Sequence, residues 1–536
     1  MLDFEDYKRY YHLDAKKLSY LKNLESLEIK KFMQSFNYIN NKFLAPIAFD
    51  NHSFNELSVL FLSQAIAKEA FLKNYKTILI ATDKSHPFLL KAIKIIENVL
   101  AANDIKVINY SEYEAVNESF LIYTVKKIKN FDLAIYLNQY SFEGIFALNI
   151  FNSKGKNIEN EFIKNVLNNL ENLNYGDIKE FQNDNDKIDF EKLINEYTDD
   201  CLENTFLKKA NKQLSIGFVS SQYNMSFIKK IIGRSDIEYQ IFNKKIKEDK
   251  PEKITFSLIF TKKLAKINYF VKFSFDSKRF FIYYKLKKNR FNITYKLIDI
   301  NDLILLYILF SNHISSINYE NKKLNSVIGT LATKKEAIYN ISTKFNLLYK
   351  NEFYENLDLS NLNNYLYYDE NFNISFYEEK FADFDLFSNL IKIIDMFNYY
   401  QTQSMDFNRL YEQNISVYTK NLINYASFDC TLDNLSNFLT KLSAQKDIAA
   451  LPFSALENLE NYQSEKEQYI AKYYFQENEN LVIKYSYDLQ KVIIICQESF
   501  ETQGNLFRTF KHYFKYFLKN FSRDFTLNEK INQFEK

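Results

Sequence analysis

The first third of the chain alternates short, almost wholly apolar runs with longer stretches whose apolar residues recur at helical spacing. Thr77 to Ala81 is a run of the first kind, typical of a strand buried on both faces, and it lies between helical stretches at 56–73 and 87–103. The other elements predicted here are strands at 105–109, 132–137 and 146–151 and a helix over 117–129. Strands separated by helices predict a parallel or mixed sheet with helices on its faces.

The same alternation restarts after a polar stretch, Gly176 to Lys187, which is predicted to be a linker. A second pass has a helix to Lys212, a strand over 214–219 and a helix after Pro251, and a third pass covers 326–418. The last hundred residues differ, with strands at 481–487 and 491–497 before a helix over 506–521. We therefore predict three consecutive α/β domains with mixed sheets and a smaller C-terminal α+β domain. Their predicted bounds are 1–185, 186–308, 309–425 and 426–536.

Composition excludes several classes of function. The 536 residues are 46% hydrophobic, and 69 basic against 67 acidic residues leave a net charge of +2, too small a field to favour nucleic acid or an anionic membrane. The longest apolar run, Leu303 to Phe310, is far shorter than the roughly 20 residues of a membrane-spanning helix. Cys201, Cys430 and Cys496 match no metal-ligand spacing and are predicted to be buried free thiols. With no signal-peptide pattern at its start, the chain is expected to be cytoplasmic.

The chain has only seven glycines. Loops that wrap their backbone N–H groups around a phosphate usually contain glycine, because it has no Cβ and adopts positive φ without strain. The scarcity therefore disfavours a function that depends on glycine-rich phosphate loops.

In the first domain, Val99 to Val107 reads VLAANDIKV, and it follows TILIATDKSHPF at 77–88. These two segments resemble the α-D-phosphohexomutases, the family of phosphoglucomutase and phosphomannomutase. The family's VLAANGIKV differs from the first of them only at Asp104. The later segments keep the family's order along essentially the whole chain. The resemblance implies the family's fold. It also directs attention to four loops that in the family carry a phosphoserine, a Mg²⁺ ion, the sugar and a second phosphate.

The first two loops have lost the residues that the family uses. At the loop over 137–143 the family's serine falls on Gln139, and an amide cannot form a phosphoenzyme. Ser141 is the backup candidate, with a solvated loop hydroxyl as the alternative. In the metal loop over 274–279, Asp276 and Arg279 remain of the family's D-x-D-x-D-R, while Lys278 stands where a carboxylate is needed. We expect no catalytic residue and no metal, with Asp276 in a salt bridge as the alternative to a vestigial ligand.

Other family positions are partly retained. After the predicted strand at 77–81, Asp83 and His86 keep two positions of the family's turn, although His86 before a proline also suits a helix start. The sugar loop over 367–372 keeps acceptors for sugar hydroxyls, but an exposed acidic turn is the favoured interpretation. Its candidate residues are Asp369, Glu370 and Asn371.

The terminal phosphate loop over 484–491 retains two cations and a hydroxyl, Lys484, Lys491 and Ser486. Its glycine is replaced by Tyr487, and the carboxylate of Asp488 would repel a phosphate. These residues are weak candidates for residual phosphate binding.

Three functions remain open from the sequence. The first is a mutase-like protein without activity, which serves a binding, structural or regulatory role with a protein partner or assembly. The second is a divergent active mutase that interconverts hexose 1- and 6-phosphates, an intramolecular phosphotransferase that would need Mg²⁺. The third is a sensor that binds a hexose phosphate without turnover. No cofactor, nucleic acid or membrane insertion is expected for the first.

Overall fold

The structure of the protein is a computed structural model that divides into two compact units. Unit 1 comprises Met1–Asp299 and Phe372–Asp406, and unit 2 comprises Ile300–Asn371 and Phe407–Lys536. The residues that the structure describes are 4–33, 36–39, 42–140, 144–181, 186–203, 205–207, 214–219, 222–242, 253–257, 264, 266–274, 277–288, 292–316, 324–333, 335–358, 362–418, 421–459, 462–464, 466–475, 479–487, 490–499 and 504–534.

Helices are numbered here in chain order. They are α1 (Phe4–Tyr10), α2 (Ala15–Lys22), α3 (Ser26–Phe32), α4 (Glu56–Leu72), α5 (Pro87–Ala102), α6 (Glu118–Ile128), α7 (Asn160–Asn172), α8 (Phe190–Leu202), α9 (Gln222–Ile231), α10 (Ile300–Ser316), α11 (Lys335–Lys344), α12 (Leu386–Thr402), α13 (Phe407–Leu410), α14 (Ser416–Tyr418), α15 (Leu432–Ser443) and α16 (Asn505–Phe534). Several begin at a side-chain cap: Asn55 and Ser58 bond reciprocally at the start of α4, which satisfies two backbone donors of its first turn.

Strands are numbered in the same way. They are β1 (Asn37–Ile39), β2 (Lys42–Pro46), β3 (Thr77–Thr82), β4 (Lys106–Tyr110), β5 (Leu133–Gln139), β6 (Ile145–Asn152), β7 (Asp186–Ile188), β8 (Ser215–Val219), β9 (Glu238–Phe242), β10 (Lys253–Ser257), β11 (Tyr269–Phe273), β12 (Phe280–Lys288), β13 (Asn292–Leu297), β14 (Ser326–Gly329), β15 (Leu348–Asn351), β16 (Tyr365–Tyr368), β17 (Ile374–Phe376), β18 (Asn421–Asp429), β19 (Asp447–Ile448), β20 (Leu451–Pro452), β21 (Ala455–Asn458), β22 (Glu467–Tyr474), β23 (Asn480–Ser486) and β24 (Lys491–Ser499).

Unit 1 contains two mixed sheets. The first has the order β1-β2-β6-β5-β3-β4-β7, in which β3 runs parallel to β4 and β5 and the strands from β5 to β1 are antiparallel. Helices α4, α5 and α7 form a hydrophobic core with one face of this sheet. Strand β5 is buried from Leu133 to Asn138, so both of its faces are covered. The second sheet has the order β10-β13-β12-β11-β8-β9. The hairpin that joins β11 to β12 carries the predicted metal loop.

Unit 2 combines parallel and antiparallel strands. In the order β15-β14-β16, the central strand pairs in parallel with both neighbours. The C-terminal sheet, β18-β24-β23-β22-β21, is antiparallel throughout. One face of this sheet packs against α15 and α16 through Leu481, Ile483 and Tyr485 of β23. The alternate residue Val482 lies on the other face, with Phe353 of the parallel region.

Turns that usually need glycine are formed here by other residues. Asp104, at the single mismatch in VLAANDIKV, has a φ of 59°. Short polar side chains tolerate this left-handed conformation better than other residues with a Cβ. Similar positive φ values occur at Asn74, Asn346, Asn364 and Ser404. The low glycine count therefore does not prevent tight turns in this chain.

Two of the retained glycines serve packing. A Cβ at Gly217 of β8 would overlap the ring of Phe270 on the neighbouring β11. At Gly155, which has a φ of 72°, a Cβ would lie 2.6 Å from Cγ2 of Ile122. Both glycines allow close approach inside unit 1.

The predicted fold class is confirmed, but several predicted elements were wrong or missing. The segment after Pro251 forms strand β10 rather than a helix, because it pairs with β13. The predicted linker contains β7, which pairs with β4. The helix predicted to reach Lys212 ends at Leu202, and 208–213 lie outside the described residues. Elements that were not predicted include α1, α2, α3, β1, β2, α7, β13, β18, β21, β22 and α15.

The four-domain division stays a prediction. Its proposed limits at 308 and 425 fall inside α10 and β18, respectively. The three cysteines are free and buried, as predicted. Across the described part of the chain, we find no helix with both the length and the apolar character needed to cross a bilayer.

Candidate functional site

The sequence resemblance predicts the phosphoserine loop at the end of β5. The backbone N–H of Gln139 donates to the carboxylate of Asp83 at 2.9 Å, and the N–H of Ser85 donates to the same carboxylate at 2.9 Å. Burial raises the pKa of Asp83, although these donors oppose the shift. Asp83 therefore ties the end of β3 to the end of β5. Ser141, the alternative nucleophile, lies outside the described residues.

His86 is the N-cap of α5. Its Nδ1 accepts a hydrogen bond from the backbone N–H of Phe88 at 3.1 Å, and Pro87 occupies the first helical position. The imidazole also packs edge-on against the ring of Phe146, with 5.6 Å between ring centroids. These contacts agree with the helix-start interpretation of this residue.

The described part of the would-be metal loop forms a tight turn. The hydroxyl of Ser274 accepts from the N–H of Arg279 at 3.0 Å, and the N–H of Ser274 donates to the carbonyl of Arg279 at 2.9 Å. Ser277, with a φ of 54°, reverses the chain. Asp276 lies outside the described residues. Arg279 thus supports the turn through its backbone.

Lys278 of this turn forms an ion pair with Glu118, the first residue of α6. The second carboxylate oxygen of Glu118 accepts from Nδ2 of Asn149 at 3.2 Å, and that amide also donates to Oδ1 of Asn138 at 3.3 Å. We call Asn138, Asn149, Glu118 and Lys278 the unit-1 cluster. It connects the end of β5 to the would-be metal loop through side chains within one unit.

The unit-1 cluster does not fit a Mg²⁺ ion. This cation is held by oxygen ligands, usually including carboxylates, whereas the cluster has one carboxylate already paired with an ammonium group. Within the described ranges, no three His, Cys, Asp or Glu side chains are grouped as a metal site would require. No chemistry that depends on a metal is derived from these residues.

The candidate sugar and phosphate residues meet inside unit 2. Lys484 of β23 forms an ion pair with Glu370, which follows β16, and the exposed fractions of the two side chains are 0% and 2%. Nζ of Lys484 also lies 2.7 Å from Oε2 of Glu467 on β22. Two further donors reach Glu370: the hydroxyls of Thr330, at 2.5 Å, and Tyr469, at 2.6 Å. These five residues are called the unit-2 cluster.

Electrostatics within the unit-2 cluster favour the charged pair. Burial alone would raise the pKa of Glu370, but the Lys484 ammonium and the hydrogen bonds hold it below its usual value. Burial would lower the pKa of Lys484, but Glu370 and Glu467 raise it instead. The cation and the carboxylate are therefore ionised and satisfied by each other.

The exposed acidic turn favoured from the sequence is wrong. Asp369 and Glu370 are only 8% and 6% exposed. Asp369 accepts from the N–H of Asn371 at 2.9 Å, and the Asn371 side chain donates to Glu467 at 3.0 Å. Contacts with β22 and β23 bury the turn, and these could not be inferred from the acidic sequence itself.

The remaining phosphate-loop residues lie where β23 meets β24. Ser486, which is 2% exposed, pairs with Lys491 across the hairpin. Nζ of Lys491 lies 3.8 Å from Oδ1 of Asp429, and both side chains reach solvent. Asp488 lies outside the described residues. Ser486 shares a sheet face with Lys484, because side chains alternate along β23.

Sequence reasoning missed the partners of the retained residues. Glu118 and Thr330 bond to would-be site residues, but neither residue was singled out from the sequence. Glu467 and Tyr469 belong to β22, which was not predicted. One signal was available: Lys484 interrupts a run that is otherwise apolar from Leu481 to Tyr485. Such a run is typical of a strand buried on both faces, where a lysine side chain needs a counter-ion.

The fold is that of the phosphoglucomutases and phosphomannomutases. The chain resembles a candidate phosphomannomutase from Thermus thermophilus, with a TM-score of 0.62, 11% identity and coverage of 91% of this chain and 100% of that one. It also resembles a phosphoglucomutase/phosphomannomutase family protein from Burkholderia thailandensis, with a TM-score of 0.60, 11% identity and coverage of 90% and 96%.

A third similar structure is the open form of parafusin, an exocytosis-sensitive phosphoprotein (phosphoglucomutase) from Paramecium. Its TM-score is 0.59 at 13% identity, with coverage of 87% of this chain and 91% of that one. Comparison with protein-family models gives no match, and comparison with curated sequences gives none either. At these identities the similarity establishes the fold alone, and it confirms the fold implied by the sequence resemblance.

Proposed function

We propose that this protein is a non-catalytic relative of the phosphohexomutases that serves a binding, structural or regulatory role in a protein assembly. The observation that carries the proposal is the unit-2 cluster, in which Lys484 is fully buried and paired with Glu370 and Glu467. The only cation of this cluster is committed to two carboxylates of the same chain.

The charge of the unit-2 cluster opposes phosphate binding. One ammonium and two carboxylates give the cluster a net charge of −1 when all three are ionised. A phosphate would have to displace Glu370 from Lys484, which would leave a buried carboxylate without its counter-ion. Such uncompensated buried charges cost several kcal/mol, on the order of 3–5. This cost supports a role other than hexose phosphate binding.

Unit 1 supports the same proposal. An amide at Gln139 cannot accept a phosphoryl group, and Lys278 places a positive charge where the family needs a metal ligand. Meanwhile, Asp83 and His86 bond to backbone groups and stabilise the local fold. Contacts that stabilise the fold are kept, while the residues that the family uses for catalysis are replaced. This pattern favours a role in which the protein binds partners through its surface.

A turnover assay tests the loss of activity. We expect no interconversion of glucose 1-phosphate and glucose 6-phosphate with the 1,6-bisphosphate and Mg²⁺, and no rise in the midpoint of thermal unfolding with any of these sugars. Turnover that is abolished in Ser141→Ala would establish the active-mutase alternative. Stabilisation by hexose phosphate without turnover, weakened in Lys484→Met, would establish the sensor alternative.

The binding role has its own test. Isolated gently from its own cells, the protein is expected to have a native mass above its 64.0 kDa and to co-purify with a defined partner. A monomer with no partner, measured at cellular concentration, would contradict the assembly role even if turnover is absent.

A further inference from the structure

The unit-1 cluster contains a cation that belongs to the chain itself. We propose that the ammonium group of Lys278 replaces a divalent metal ion as the positive charge of the would-be metal loop, with Glu118 as its counter-ion. This inference rests on the proposed non-catalytic function, and it makes a separate claim about metal binding. It explains how the described part of this loop, Ser274 and 277–279, is held in place by residues that do not fit Mg²⁺.

The position of Glu118 suits a permanent ion pair. It is the first residue of α6, where the partial positive charge of the helix N-terminus stabilises a carboxylate. One of its oxygens contacts Lys278 and the other accepts from Asn149, so the carboxylate bridges the turn and the sheet. Its side chain is 11% exposed and that of Lys278 is 28% exposed, which limits screening by water.

A second contact holds the same turn from another helix. Asn224 of α9, which is 1% exposed, donates from Nδ2 to the hydroxyl of Ser277 at 2.9 Å. The turn is therefore fixed on one side by a neutral hydrogen bond and on the other by the ion pair. An ammonium group on a side chain is not removed by a chelator, so this arrangement should not depend on free metal.

The ammonium group also excludes a metal by repulsion. A divalent ion bound to Glu118 would lie within a few ångströms of Lys278, and like charges at that distance repel strongly at a partly buried site. If the ammonium were replaced by a carboxylate, the site would need a cation. Residue 278 and Glu118 would then repel each other unless a cation bound between them.

The experiment compares Lys278→Asp, Lys278→Met and the wild-type chain by thermal unfolding in Mn²⁺ and in EDTA, with Mn²⁺ binding measured by equilibrium dialysis. We expect the wild-type midpoint to be the same in both solutions. Both variants should have lower midpoints in EDTA, and Mn²⁺ should raise only that of Lys278→Asp. The matched control is Lys127→Met, which removes a more exposed lysine, paired with Asp200 at 3.4 Å, and should change the midpoint less.

Glu118→Gln provides a second measurement if Lys278→Asp does not fold. The double variant Lys278→Met/Glu118→Gln should be more stable than Lys278→Met alone, because it removes the carboxylate left without a counter-ion. The proposal is overturned if the wild type binds one Mn²⁺ and loses stability in EDTA. It is also overturned if Lys278→Met is as stable as the control. Sugar turnover, measured separately, would instead overturn the proposed function.

Discussion

Substitution of Lys484 by methionine should strongly destabilise unit 2. The side chain has no solvent exposure, and methionine keeps most of its length while removing the charge. Glu370 would retain its bonds to Thr330 and Tyr469 but lose the ammonium that keeps it ionised. Removal of one partner of such a buried pair costs about 3–5 kcal/mol. We expect a loss of that size in the free energy of unfolding.

A double-mutant cycle isolates the pair itself. Glu370→Gln alone should lower the free energy of unfolding less than Lys484→Met does. Glutamine still accepts hydrogen bonds, and Lys484 keeps its ion pair with Glu467 at 2.7 Å. The double variant should be more stable than the sum of the single effects predicts, by about 0.5–3 kcal/mol. Urea unfolding followed by circular dichroism and by tyrosine emission suits this chain, which has 41 Tyr and no Trp.

Acidity provides an independent check on this pair. A carboxyl group whose pKa is lowered in the folded state contributes stability that is complete above its unfolded value, here 4.5, and is lost as the pH falls through the folded value. The difference between wild type and Lys484→Met should therefore shrink in acid. The control Lys491→Met removes a solvent-exposed lysine and should change stability by about 0.5 kcal/mol or less. Equal losses for the two lysine variants would refute the buried-pair argument.

Two further predictions concern unit 1. Asp385 is the buried N-cap of α12, and burial raises its pKa from the ordinary value of 3.8 to about 6. Its ionisation therefore destabilises the folded state progressively as the pH rises from 3.8 through 6. Asp385→Asn, which keeps a good N-cap, should therefore stabilise the protein by as much as about 3 kcal/mol at pH 7, with no gain below pH 4; a pH-independent effect would contradict this. Gly217→Ala should cost about 1–3 kcal/mol in urea unfolding because the methyl group overlaps Phe270, and Gly176→Ala, with open space around it, is the control.

Local sequence patterns were sufficient to predict the elements that contain an apolar stripe or an apolar run. The helices α4 and α5 and the strand β3 were predicted within one or two residues, because an apolar stripe or run specifies them without reference to distant partners. Strands at sheet edges were harder to predict from the sequence. Strand β10, which was predicted to be a helix, contains the strand-favouring residues Ile254, Thr255 and Phe256 and pairs with β13. Strand β21 is exposed along its whole length.

The candidate residues show the same limit. The residue types of Gln139 and Lys278 led to the prediction that the chemistry is lost, because an amide is no phosphoryl acceptor and an ammonium is no metal ligand. Their surroundings were not predictable in the same way. The acidic turn at 369–371 looked exposed, but Glu370 lies in the core because a strand more than a hundred residues later supplies its counter-ion.

Residue types and their spacing were enough to predict the fold class, which the structure confirms, and to predict that the family's serine and metal ligands are replaced. The contacts of the retained charges depend on the tertiary structure. Lys484 neutralises Glu370, and Lys278 pairs with Glu118, in each case across a long stretch of chain. The physical reason is that a buried charge is stable only beside its counter-ion, and folding selects that partner by proximity in space.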